Sequence, residues 1–145
     1  MLDAGEIVIA VGGGGIPGLR RGKHSLDGIE AVIDKDYASS RLAIEIDADV
    51  LLILTAVEKV YRDFGLPSQK ALDNLTLAEA KELLAEGQFG TGSMEPKVDA
   101  AIEFLQEVDE LAQPSLPRRE REVIITLPET AMAAIQGKTG TRITR

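Results

Sequence analysis

Two lysine-bearing stretches carry the residue types most suited to chemistry. Lys35 lies between two aspartates in Ile33-Asp34-Lys35-Asp36-Tyr37-Ala38, and Lys97 closes Gly92-Ser93-Met94-Glu95-Pro96-Lys97. Upstream, the apolar run Ile7–Val11 ends in Gly12, Gly13, Gly14 and Gly15, followed by Ile16 and Pro17. Residues of these kinds suit the handling of phosphate. Glycines leave backbone amides bare for an anion, lysines neutralise charge as it develops, and a carboxylate holds the cations or a metal ion in place. Together they point to phosphoryl transfer. Two common phosphate loops are excluded: no Gly-Lys-Ser/Thr follows at Walker A spacing, and the Gly-x-Gly-x-x-Gly fingerprint fails at Pro17.

Each feature also has a plainer reading. Gly12–Gly15 would serve as a flexible turn, Asp34-Lys35-Asp36 as a solvated turn with a helix cap, and Lys97 as a surface lysine. Position sets Lys97 apart from that default. It falls in the first turn of an expected helix, where a cation opposes the helix dipole unless an anion is close by. A polyphosphate would be such an anion. His24 is the only histidine and sits in a polar loop, and no Ser–His–Asp arrangement or metal-ligand cluster accompanies it.

The elements that must position these groups follow from periodicity. Ile7–Val11 and Val50–Leu54 are short continuous apolar runs, as expected for parallel strands buried on both faces. Gly18–Gly28 reads as an exposed loop. A helix is expected from about Asp36, its N-cap, to about Ile46. Phe64–Ser68 has turn chemistry. Thr76-Leu77-Ala78-Glu79 is a capping box, followed by the apolar face Leu77, Ala80, Leu83 and Leu84 and a stop at Gly87. A third helix opens at Ser93 with Pro96 in its first turn and a stripe of Val98, Ala101, Ile102, Leu105 and Val108. Glu122–Thr126 reads as a strand, and Pro128–Gln136 as a short helix ending at Gly137. The strand–helix–strand order predicts a three-layer α/β/α sandwich with a mainly parallel sheet. Residues 1–145 read as a single domain, with the Pro- and Arg-rich segment Asp109–Arg121 as an exposed insertion.

Composition narrows the function classes. A net charge of −8 argues against general nucleic-acid binding, although it leaves room for a local cationic pocket. The chain has no cysteine, which fits a reducing cytosol, and its N-terminus lacks the basic and apolar regions of a signal peptide. Its apolar runs are too short to span a bilayer. A cytoplasmic protein with no membrane contact is the expectation. With aromatics at only 3 % and no tryptophan, the core must be aliphatic.

Five motifs then occur in one order: Gly12–Gly15 with Ile16-Pro17, Asp34-Lys35-Asp36, Leu54-Thr55-Ala56-Val57-Glu58-Lys59-Val60-Tyr61, Gly92-Ser93-Met94-Glu95-Pro96-Lys97-Val98, and Gly137-Lys138-Thr139-Gly140-Thr141. In this arrangement the chain resembles carbamate kinase of the amino acid kinase superfamily, from Ile7 almost to its end. The match is to the C-terminal, nucleotide-binding half of kinases roughly twice this length. The resemblance implies reversible phosphoryl transfer between ATP and carbamate, giving ADP and carbamoyl phosphate with Mg²⁺. It gives Lys97, Lys35 and Asp36 the catalytic roles: Lys97 on the transferred phosphate, Lys35 on nucleotide phosphate, and Asp36 holding the lysines or Mg²⁺. It places Gly12, Gly13, Gly14 and Gly15 at the transferred group or the carbamate. Thr55, Ala56, Val57, Val60 and Tyr61 would line the adenosine site at the carboxyl end of a strand, with Tyr61 and Met94 as adenine walls. Glu95 departs from the family, which more often has glycine there. The implied partner is a second copy of the chain or a separate N-terminal half. Asp-Lys-Asp with Gly-Ser-Met-x-Pro-Lys argues against an acetylglutamate or uridylate kinase. A noncatalytic nucleotide-binding fragment, or one subunit of a split enzyme, stands as the alternative.

Overall fold

Burial alternates along Val50–Leu54, Asn74–Thr76 and Thr141–Thr144, whereas Glu122–Thr126 is buried on both faces from Val123 on. A computed structural model describes residues 4–13, 15–23, 25–111 and 120–145, with 107–111 through their backbone alone. Strand β3 (Val50–Leu54) pairs in parallel with β7 (Glu122–Thr126), which pairs antiparallel with β8 (Thr141–Thr144), which in turn pairs in parallel with β6 (Asn74–Thr76). The four-stranded order is β3-β7-β8-β6, parallel at two of its three junctions. Register brings Leu51, Val123 and Ile143 side by side, and sets Ile53 beside Ile125. These residues form one apolar face with Leu75, all of them buried.

Three helices cover that face. Helix α1 (Lys35–Glu45), α2 (Leu77–Ala85) and α3 (Glu95–Leu111) pack on one another and on the strands. Ala43, Ile44, Ala80, Leu83, Val98, Ala101, Ile102, Phe104 and Leu105 fill the core between the layers. The opposite face is thinner. There α4 (Ala131–Ile135), entered through a 3-10 turn at Pro128–Thr130, lies against β7. Ile124 and Ala134 are buried on that side, and Arg142, in register with Ile124, donates to the Ala134 carbonyl at 3.1 Å. The result is the expected three-layer α/β/α sandwich with a mainly parallel sheet.

Two small hairpins complete the described chain. Strands β1 (Gly18–Arg20) and β2 (Leu26–Gly28) pair antiparallel and are exposed throughout, where an open loop was expected. Strands β4 (Val60–Arg62) and β5 (Lys70–Leu72) form the second hairpin. The buried Thr141 hydroxyl ties it to the sheet, accepting from the Val60 amide at 2.7 Å and donating to the Leu72 carbonyl at 2.5 Å.

Several expectations are corrected. Ile7–Val11 forms no strand: Ile7 and Ile9 are each 98 % exposed. A run apolar on every residue needs cover on both faces. That cover is not supplied here, since none of Ile7–Val11 enters the core cluster. Helix α1 is capped by Asp34, whose side chain accepts from the Asp36 amide at 2.7 Å, and not by Asp36. Helix α3 begins at Glu95, two residues after the expected start at Ser93. Of the expected insertion at 109–121, α3 takes 109–111, and residues 112–119 lie outside the described residues, as do Gly14 and His24. Arg121 has its side chain only 7 % exposed, lies over the Phe104 ring and donates to Asp47. The capping box is as expected: Thr76 accepts from the Glu79 amide at 3.2 Å, and Glu79 accepts from the Thr76 amide at 2.7 Å.

Candidate functional site

Two parallel helices bring the lysines together. Only residues 46–49 separate α1 from β3, so the helix runs back antiparallel to the strand and its N-terminus sits toward the strand's carboxyl end. Pairs between α1 and α3 advance in step: Asp36 with Lys97, Tyr37 with Asp99, and Arg41 with Glu103. The two helices therefore lie parallel, and the first turn of α3 sits at the same end. Ligands of parallel α/β sheets bind at that end.

At the centre is the Asp36 carboxylate, with its side chain 10 % exposed. Its Oδ2 accepts from Lys97 Nζ at 2.9 Å and lies 3.7 Å from Lys35 Nζ. Lys97 is almost as buried as its partner, at 12 %, whereas Lys35 is 59 % exposed. One carboxylate oxygen thus faces two ammonium groups. The buried pair satisfies its mutual charge, while the exposed lysine reaches into solvent. Asp36 also supplies the anion that a lysine in α3's first turn requires, so Lys97 has a counter-charge before any ligand arrives. Glu95 stands at the start of the same helix, where a carboxylate suits the dipole.

The capping correction has a chemical consequence. Because Asp34 closes the end of α1, Asp36 is released from that duty and its Oδ2 faces both lysines. The two aspartates around Lys35 divide the roles of cap and charge partner.

The other expected residues are distributed around this end. Gly12 has φ +52° after Val11 at φ +70°, a tight bend closed by the Gly12 amide donating to the Ala10 carbonyl at 2.8 Å. Non-glycine residues seldom adopt such a φ. Gly12 and Gly13 are exposed, and Gly15 packs beside the Ile33 side chain, immediately before the cap of α1. Thr55 continues from β3, its amide donating to the Thr126 carbonyl at 2.8 Å. Ala56 is exposed and Val57 half-buried. Glu58 accepts from the Thr139 hydroxyl, tying this loop to the glycine-bounded turn 137–140. Val60 is fully buried in the core and so supports the loop, offering a ligand no surface. Tyr61 is half-buried with its ring 5.7 Å from that of Phe64, and Met94 packs on the core just before α3.

Sequence reasoning missed one pair. The Tyr37 hydroxyl donates to Asp99, and this bond, with burial, pushes the phenol up to about 12. The two residues are 62 positions apart, and no motif links them. Among the described residues there is no group of three or more His, Cys, Asp or Glu side chains able to hold a metal ion. With Asp36 engaged by both lysines, the described side chains do not fit a resident Mg²⁺. Among the same residues no helix is long and apolar enough to cross a membrane.

Comparison with known proteins bears on the family and the fold. Residues 1–111 match the model of the amino acid kinase family. The carbamate kinase-like protein YqeA of Escherichia coli is 51 % identical over 143 residues, covering 99 % of this chain and 43 % of that protein. The carbamate kinase of Thermoplasma acidophilum is 47 % identical over 145 residues, covering all of this chain and 44 % of the relative. The structure of carbamate kinase from Giardia lamblia bound to AMP-PNP superimposes with a TM-score of 0.79 at 41 % identity, covering 92 % of this chain and 42 % of that one. The chain therefore spans less than half the length of the relatives it matches. Its fold, its motifs and the family match over 1–111 agree: the chain belongs to the amino acid kinase family.

Proposed function

We propose that this chain is the nucleotide-binding half of a carbamate kinase-type phosphotransferase, moving a phosphoryl group between ATP and carbamate. The observation that carries the reading is the buried Asp36 carboxylate shared between Lys97 and Lys35 at the ligand end of the sheet. Phosphoryl transfer asks little covalent chemistry of a protein; positioning and neutralisation of charge supply most of the rate. In this reading the Lys97 ammonium contacts the transferred phosphoryl group and offsets charge on its oxygens. Lys35, more exposed, meets nucleotide phosphate. Asp36 fixes both ammonium groups so that they need no reorganisation when charge develops. Amides of Gly12–Gly15 donate to the transferred group or the carbamate. Tyr61 and Met94 flank the adenine, while Thr55, Ala56 and Val57 line the adenosine. Any Mg²⁺ arrives with the nucleotide phosphates, which suits an ion that keeps its waters and favours phosphate oxygens.

The share of the relatives that is covered favours a second reading, a nucleotide-binding subunit or fragment that lacks turnover until a complementary half joins it. The partner is then that half, or a second copy of this chain.

One experiment tests both. ATP formation from ADP, Mg²⁺ and carbamoyl phosphate is measured for the purified chain, alongside AMP-PNP binding by calorimetry, with Lys97→Ala as the comparison. Turnover that depends on Lys97 supports the full kinase reading. Lys97-dependent AMP-PNP binding without turnover supports the subunit reading. Equal AMP-PNP affinity in both proteins removes Lys97 from the site.

A further inference from the structure

We propose that Tyr37 and Asp99 are positioning residues that set the rotation of α3's first turn and thereby aim Lys97. The proposal rests on the reading of Lys97 as a phosphate contact. A single contact between two helices acts as a pivot; two contacts at successive positions fix both rotation and register. The Asp36–Lys97 bond at 2.9 Å is one such contact, and Tyr37–Asp99 is the next, one residue on along α1 and two along α3. The polarity is crossed: α1 gives the acceptor in the first pair and the donor in the second. Lys97 and Asp99 lie two residues apart, so they diverge around the helix and do not satisfy each other. Tyr37 therefore supplies Asp99 with a partner from α1.

The surroundings favour a stiff junction. Ser40 and Ala43 of α1, and Ala100 and Ala101 of α3, are small and buried, which allows the two backbones to approach closely. The third rung, Arg41 with Glu103 at 3.6 Å, lies a turn further from the site. It gives a natural control: it joins the same helices without adjoining Lys97.

The test has two arms. In the free protein, the Lys97 ammonium is followed by nitrogen-detected NMR. Tyr37→Phe keeps the ring and removes the hydroxyl. It is expected to move the Lys97 signal toward that of exposed lysines, while Arg41→Gln leaves it in place and Asp99→Asn, which retains an acceptor, gives a smaller change. An unmoved Lys97 signal in Tyr37→Phe overturns the proposal. In the second arm, AMP-PNP affinity is measured for Tyr37→Phe alone and combined with Lys97→Ala. A loss of about fivefold to tenfold is expected in the first background and none in the second, because a positioning residue acts only through the group it positions. An equal loss in both backgrounds means a general structural role and overturns the proposal. Should the unsubstituted chain bind no AMP-PNP, the nucleotide reading falls, and the Lys97 signal alone decides whether the clasp exists.

Discussion

Asp36 shows how one carboxylate can hold a site ready. It is buried, it bonds Lys97 at 2.9 Å, and its oxygen also faces Lys35 at 3.7 Å. The sequence made Asp-Lys-Asp conspicuous but could not say which aspartate caps the helix, since both types and both positions satisfy the capping rule. Only the observed bond from the Asp36 amide to the Asp34 side chain settles it. Tyr37 was illegible for a different reason, because its partner lies on another helix and adjacency in space leaves no trace in spacing. Its raised phenol has a thermodynamic consequence. The folded state holds its proton to about pH 12, whereas an unfolded tyrosine releases it near the ordinary phenol value of 10.0. The folded chain therefore binds more protons between those values, and this contribution to stability is fully present below pH 10 and is lost as pH rises through the folded value. Denaturant unfolding at pH 9 and pH 11 should show a fall that is smaller in Tyr37→Phe; an identical fall would mean that the phenol is not held by Asp99.

At the scale of elements, local chemistry was read well and long-range placement less so. The capping box of α2, strands β3 and β7, and the proline in α3's first turn were all visible because each is a rule about neighbours in sequence. The strand expected at Ile7–Val11 failed because its formation depends on what covers it, and a sequence pattern states a requirement without stating that it is met. Thr141 closes the motif Gly137–Thr141, but its role in holding the hairpin left no trace in the sequence. Its hydroxyl is the only described side chain that bonds both strands of the β4–β5 hairpin, through Val60 and Leu72. Thr141→Val keeps the shape and strands two buried backbone groups, at a cost of about 1–3 kcal/mol each. Unfolding by urea should register the loss with an unchanged slope. A loss below about 0.5 kcal/mol, the range of neutral surface changes, would show that water replaces the hydroxyl.

At the scale of the molecule, the core begins with α1, and the apolar residues before it make no part of the core cluster. Ile7, Ile9, Ile16 and Val32 are all more than 90 % exposed. Among the described residues, strand β3 ends the sheet with one edge bare, and Val50 and Leu54 at its two ends are 45 % and 47 % exposed. A bare edge beside loose apolar chain is a template for further strands, whichever molecule supplies them. The protein's behaviour should therefore depend on how much of it is present. Light scattering across a dilution series should show association setting in as concentration rises, and Ile7→Asp with Ile9→Asp should move that onset upward. An onset that does not move would assign the association to another surface. On this prediction the open edge makes concentration itself a variable of the fold: dilute, the chain should remain a single sheet with an open side, and crowded, it should become its own neighbour.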